Sequence, residues 1–155
     1  MAMNRNRIGV LLLCLFAAST MALHAADRPQ LCELLPVADV SAVTGGTYKT
    51  TEQQADYANI AHCGYLGAGG PDSVSITFAK GDTASQRWEQ GNMFNPKAIE
   101  GFLDQAAWEP MRGTLTARSG DKFAEIRISK SDNHGDEATR IAKAKKLVEM
   151  LFEKL

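Results

Sequence analysis

Two runs of strict two-residue alternation constrain this chain most. In "HCGYLGAGGPDSVSITF", Cys63 and Tyr65 alternate with His62 and Gly64; beyond a Gly-Pro-Asp cluster, Val74, Ile76 and Phe78 alternate with Ser75 and Thr77. A period of two puts residues i and i+2 on one face of a strand, so each run buries one face and wets the other. The glycines, proline and aspartate between the runs are turn formers, and the pair reads as an antiparallel hairpin. The same pattern predicts a strand near Ala106 to Glu109, a second around Gly113 to Arg118, a turn at Ser119-Gly120-Asp121, and a third from Lys122 to Ser129. In that last strand Ala124, Ile126 and Ile128 share a face. "TYKTTEQ" adds an edge strand.

The period changes at the end of the chain. Ile141, Ala144, Val148, Leu151 and Leu155 recur at helical spacing, Leu147 and Phe152 widen the stripe, and Lys143, Lys145 and Lys146 lie opposite. Such a helix covers a sheet face. Asp132 or Asn133 is its expected cap, and Asp136 and Glu137 suit the positive end of its dipole. A short helix follows Pro36 through Val37, Val40 and Val43 to Gly45 and Gly46, and another runs from Ala84 to Gln90, capped by Asp82 or Thr83 and anchored by Trp88. Residues 91–105 lack periodicity and predict the longest loop. The order predicts an α+β fold, an antiparallel sheet of five to six strands with helices packed on one face. Each half ends in a hairpin followed by a helix, and "KGDTA" and "SGDKF" fall at similar places, a weak sign of duplication.

The first residues read as a leader. Arg5 and Arg7 precede an apolar run from Ile8 to Ala18, small residues follow to Ala25 and Ala26, and no acidic residue precedes Asp27. That order is the one of a secretory signal peptide, and the run is shorter than the about 20 apolar residues of a spanning helix. The expected division is a signal peptide over residues 1–25 and a single domain over 26–155. Lipid attachment needs a cysteine after a small residue with a leucine upstream. Cys14 follows Leu13 inside the apolar run, and Cys32 follows Pro29, Gln30 and Leu31 beyond the cut, so no stable membrane anchor is expected after leader removal.

The whole chain carries 17 Lys and Arg against 18 Asp and Glu, and losing Arg5 and Arg7 takes the net charge from -1 to -3. With its cations scattered, such a domain has no electrostatic footprint for nucleic acid. Of three cysteines, Cys32 and Cys63 survive the leader. An oxidising compartment favours pairing them. A metal site is the competing reading, though the sequence has no CxxC, no HxxxH and no Cys/His cluster.

Three segments, "LCELLPVADVSAVTG" at 31–45, "HCGY" at 62–65 and "IEGFLDQAAWEPMRGTLTARSGDKFAEIRIS" at 99–129, carry a likeness. In them the chain resembles a family of small exported bacterial proteins, many of them lipoproteins, known as the 3558 family of domains of unknown function. The resemblance implies a disulfide between Cys32 and Cys63, and a sandwich similar to small photosystem accessory and nuclear transport domains. It implies no reaction. Members commonly bring a lipidated cysteine, which this leader lacks.

Chemistry is sparse. Asp104, Glu109 and His62 are the candidates for a small cell-envelope hydrolase, an activity that needs them in one cleft. Asp104 reads first as a turn or cap residue and Glu109 as a strand end before Pro110. Ser119-Gly120-Asp121 lacks the glycine-flanked serine of a nucleophile elbow, and Gly67 to Gly70 lead into a proline and a strand, unlike a phosphate cradle. No motif calls for a cofactor. What remains is apolar: Ile99, Phe102 and Trp108 read first as core, whereas Met93 and Phe94, set between Asn92 and Asn95 before Pro96, resist burial. The sequence therefore predicts a periplasmic or secreted binding or accessory protein without catalytic activity. Its surface is drawn from Met93, Phe94, Phe102 and Trp108, and its partner is an envelope protein or a small ligand. The alternatives are the hydrolase and a structural companion of an envelope complex.

Intact mass spectrometry of the exported protein is expected to give a chain starting near Ala26 or Asp27. A diacylglycerol adduct on Cys14 or Cys32, or a retained leader, contradicts this reading.

Overall fold

The computed structural model describes residues 30–57, 59–68, 73–131 and 134–155, with backbone alone over 50–57. The expected leader, the expected turn at Gly-Pro-Asp and the Asp132 and Asn133 cap candidates lie outside the described residues. In chain order the elements are α1 (Leu31–Leu34), α2 (Val37–Thr44), β1 (Tyr48–Tyr57), β2 (Ile60–Gly67), β3 (Ser73–Lys80), α3 (Asp82–Asn92), β4 (Lys97–Ala98), β5 (Gln105–Glu109), β6 (Thr114–Ser119), β7 (Lys122–Ile128) and α4 (Glu137–Glu153).

All strands join one antiparallel sheet in the order β1-β2-β3-β7-β6-β5-β4. Two meanders thus meet where β3 pairs with β7, from Val74 opposite Ile128 to Lys80 opposite Lys122. The class is the α+β fold that the sequence predicts, closed by the C-terminal helix. The seventh strand is β4, whose two residues are too short to leave a period.

The helices do not all share one face. Val74, Ile76 and Phe78 of β3, with Ala124, Ile126 and Ile128 of β7, pack under Leu31, Leu35 and Val40 and under Ala144, Leu147, Val148 and Leu151 of α4. Ala79 and Phe123 point to the opposite face, where α3 covers them with Ala84 and Trp88. The crossing starts at Gly81, whose φ of 65° lies in the left-handed region that glycine enters without strain. Gly81 is also the N-cap of α3, so Asp82 falls in the first turn instead of capping it, and no side chain caps this helix. The weak sign of duplication therefore finds no counterpart in the helices. A twofold axis through the β3–β7 pair, normal to the sheet, would leave both following helices on one face, whereas α3 and α4 lie on opposite faces.

Local chemistry sets the other helix ends. Pro36, at φ −64°, opens α2, and Gly45 in the left-handed region closes it. The Thr44 hydroxyl donates to the Val40 carbonyl at 2.8 Å and pairs with the Tyr48 hydroxyl at 2.8 Å, which fixes the turn into β1. The cap of α4 is Asp136, whose carboxylate accepts from the Thr139 N–H at 2.8 Å. Those hydrogen bonds from Thr139 hold the Asp136 carboxyl below the usual carboxylate range.

The short α1 is held at three points. Cys32 is disulfide-bonded to Cys63 on β2, with Cα atoms 5.4 Å apart. Tyr65, fully buried, donates its hydroxyl to the Leu35 carbonyl, and burial, with a smaller effect of Asp39, pushes its phenol above the ordinary range. Lys154, just past α4, donates to the Leu34 carbonyl at 2.7 Å and meets Asp39 at 2.9 Å. Leu31 and Leu35 thereby plug one end of the main core.

The disulfide closes a loop of sequence separation 31, for which loss of unfolded-chain entropy is worth roughly 3 to 4 kcal/mol. Paired substitution of Cys32 and Cys63 by Ala is expected to lower the melting temperature by on the order of 10 °C. Two free thiols in protein purified oxidised, or an unchanged melting temperature, would contradict this.

Candidate functional site

The turn after α3 and the turn between β5 and β6 meet at one end of the sheet. Met93 is 80% exposed, Phe94 60% and Met111 82%. Arg112 joins the two turns, its guanidinium carbon 4.9 Å from the centre of the Phe94 ring, a cation–π contact. Asn95 adopts a positive φ of 51°, which its short polar side chain tolerates and which aims the chain into β4. Isolated exposed apolar residues are ordinary, but neighbouring ones carried on two turns of a rigid sheet are a recognisable binding feature.

The base of this feature is fixed by Glu109. Its two carboxylate oxygens accept from the Met111 and Arg112 N–H groups at 2.8 and 2.9 Å, and the side chain faces Arg112 at 3.9 Å. Glu109 is thus a turn former. Asp104 has the same kind of role at the opposite end of β5, where its carboxylate accepts from the Gly120 N–H at 2.6 Å and ties the segment before β5 to the β6–β7 turn.

The three hydrolase candidates do not meet. Asp104 and Glu109 flank opposite ends of β5, and His62 is on β2, four strands away in the sheet, about 19 Å at the usual strand spacing. The His62 ring nitrogen Nδ1 instead pairs with the Thr77 hydroxyl at 3.1 Å on the neighbouring strand. Among the described residues no group of three or more His, Cys, Asp or Glu is placed to hold a metal ion.

Of the predicted surface residues, Met93 and Phe94 are exposed, Phe102 is half-buried and Trp108 is 1% exposed. Trp108 faces the main core from β5, with the buried Arg140 guanidinium 5.6 Å from its ring, so it is scaffold. Phe102 packs against the same core with the Lys145 ammonium 5.0 Å from its ring. Met111 and Arg112 take their place at the surface. The available signal was a methionine inside the turn sequence Glu-Pro-Met-Arg-Gly, where nothing apolar is needed.

A second feature lies beyond the far end of β4. A half-open cavity of about 260 Å³ is formed between Trp88 of α3 and the segment 98–106. Leu103 in that segment holds a positive φ of 56°, an uncommon conformation for a branched side chain.

None of the protein-family models, curated proteins or solved structures compared with the chain matches it. Among the described residues no helix is long and apolar enough to cross a membrane.

Because Asp104 and Glu109 act as turn formers, Asp104→Ala and Glu109→Ala are each expected to cost about 1 kcal/mol in urea denaturation. Asp104→Asn and Glu109→Gln keep an accepting oxygen and are expected to cost less. Equal losses for the amide and alanine variants would contradict the turn role.

Proposed function

We propose that this chain is an exported cell-envelope binding or accessory domain, periplasmic or secreted, that captures a protein partner through Met93, Phe94, Met111 and Arg112. The observation that carries the reading is the convergence of two turns into one exposed apolar tip with a cation at its root. The disulfide supports the compartment, since such bonds persist where thiols are oxidised. Kinship with the exported family that the cysteine and tryptophan motifs resemble belongs to the same proposal.

The partner's chemistry follows from the tip. Methionine side chains adapt to irregular apolar surfaces, and phenylalanine supplies a rigid anchor. Arg112 retains half of its side chain in solvent beside Phe94, so the complementary surface is an apolar depression bordered by a carboxylate. A hydrolytic role through Asp104, Glu109 and His62 draws no support from their placement.

Replacing Met93, Phe94 and Met111 together by Ser is expected to change stability by no more than about 0.5 kcal/mol per site, as for other exposed positions, while removing co-purification of the partner from a cross-linked envelope fraction. Retained capture by the triple variant would remove the tip from the reading and leave the structural companion ahead. A loss of several kcal/mol would show that the tip belongs to the core.

A further inference from the structure

The cavity beside Trp88 lies apart from the tip and draws on different chemistry. Ten residues line it, and six of them carry its chemistry: Trp88, Ile99, Glu100, Phe102, Leu103 and Asp104. They give two aromatic rings, two aliphatic side chains and two carboxylates, and the lining holds no Lys, Arg or His. We infer that this cavity binds an alkylammonium cation, with the indole of Trp88 and the carboxylates of Glu100 and Asp104 around its charge.

Three observations carry the assignment. Aromatic faces attract cations through the ring quadrupole, tryptophan most strongly, and a nearby carboxylate adds direct Coulomb attraction. The domain already uses this contact beside the cavity, where the Lys145 ammonium rests 5.0 Å from the Phe102 ring. That leaves Trp88 and the carboxylates to meet a second cation. The volume lies just below the range of about 300 to 1,000 Å³ of small-molecule pockets, so it suits one side-chain-sized group.

The walls are also pre-set. Asp104 is tied to the Gly120 N–H at 2.6 Å, its backbone N–H donates to the Arg118 carbonyl at 3.2 Å, and the Ile99 N–H donates to the Ala106 carbonyl at 2.9 Å. These bonds anchor both ends of the segment that contains the positive φ of Leu103. Backbone strain of this kind persists where the surroundings over-determine it, a frequent property of ligand sites. The bond to Gly120 engages one oxygen of Asp104, and a carboxylate has lone pairs for a further donor.

The test is an NMR titration of the 15N-labelled protein with tetramethylammonium chloride and n-butylammonium chloride, against sodium chloride and neutral neopentyl alcohol at matched concentrations. The chain has two tryptophans, so the indole N–H of Trp88 is the reporter and that of buried Trp108 the internal control. Expected are saturable shifts of the Trp88 indole and the amides of 98–105 at millimolar ammonium, with Trp108 still. Combining Glu100→Gln with Asp104→Asn should weaken binding by roughly five- to ten-fold with the rest of the spectrum preserved. An acetylated, amidated Gly-Lys-Gly peptide separates the sources. Tighter binding than butylammonium assigns the cation to a protein lysine, and weaker binding assigns it to a free amine. No saturable shift up to about 100 mM, or an equal response to neopentyl alcohol, overturns the inference.

Discussion

The antiparallel pairing of β3 with β7 is the interaction on which the rest of this domain depends. It joins two meanders that otherwise share no strand ladder, and its residues seed both cores. On one face the ladder brings Val74, Ile76 and Phe78 beside Ile128, Ile126 and Ala124; on the other it sets Ala79 against Phe123. A one-residue slip would turn one of the two strands over and bury either Ser75 and Thr77 or Glu125 and Arg127 beneath α4. Register is therefore held by the cost of desolvating a pair of polar side chains as well as by the apolar contacts it creates.

The two faces are unequally covered, and both proposed sites fall where cover is thin. Three helices, the disulfide and the Lys154 latch seal the face beneath α4. A single helix crosses the other and contributes to both proposed sites: Trp88, in its second half, forms one wall of the cavity, while Met93 and Phe94 project from its C-terminal end. The carboxylates that might suggest catalysis, Asp104 and Glu109, are spent on turn amides at the two ends of β5. They build the frames from which the cavity segment and the exposed tip are held.

Much of this was legible in the sequence because the signals were periodic. The pairing of β2 with β3, the three later strands and the terminal helix follow from alternation and helical spacing, and the Cys32–Cys63 bond from the two cysteines left by the expected leader. Three things were not. Gly81 sends α3 across the sheet edge, and nothing in "KGDTASQRW" reveals that Trp88 will meet Phe123, which occupies the opposite parity from Ala124 and Ile126. The two residues of β4 are too few to show a period. Trp108, read first as core yet included in the expected surface, is turned inward by β5, and Met111, which carried no expectation, is thrown outward by the following turn. That choice is made by register with β6, a non-local property.

Native-state hydrogen exchange tests the central pairing most directly. If β3 and β7 carry the fold, the amides of Ser75, Thr77, Glu125 and Arg127, which alternation places in the β3–β7 ladder, exchange only through global unfolding. Their exchange free energy then equals the unfolding free energy from denaturant. Slower exchange in β1 or α4 than in β3 and β7, or release of the β3–β7 amides at a free energy well below global unfolding, would contradict the account.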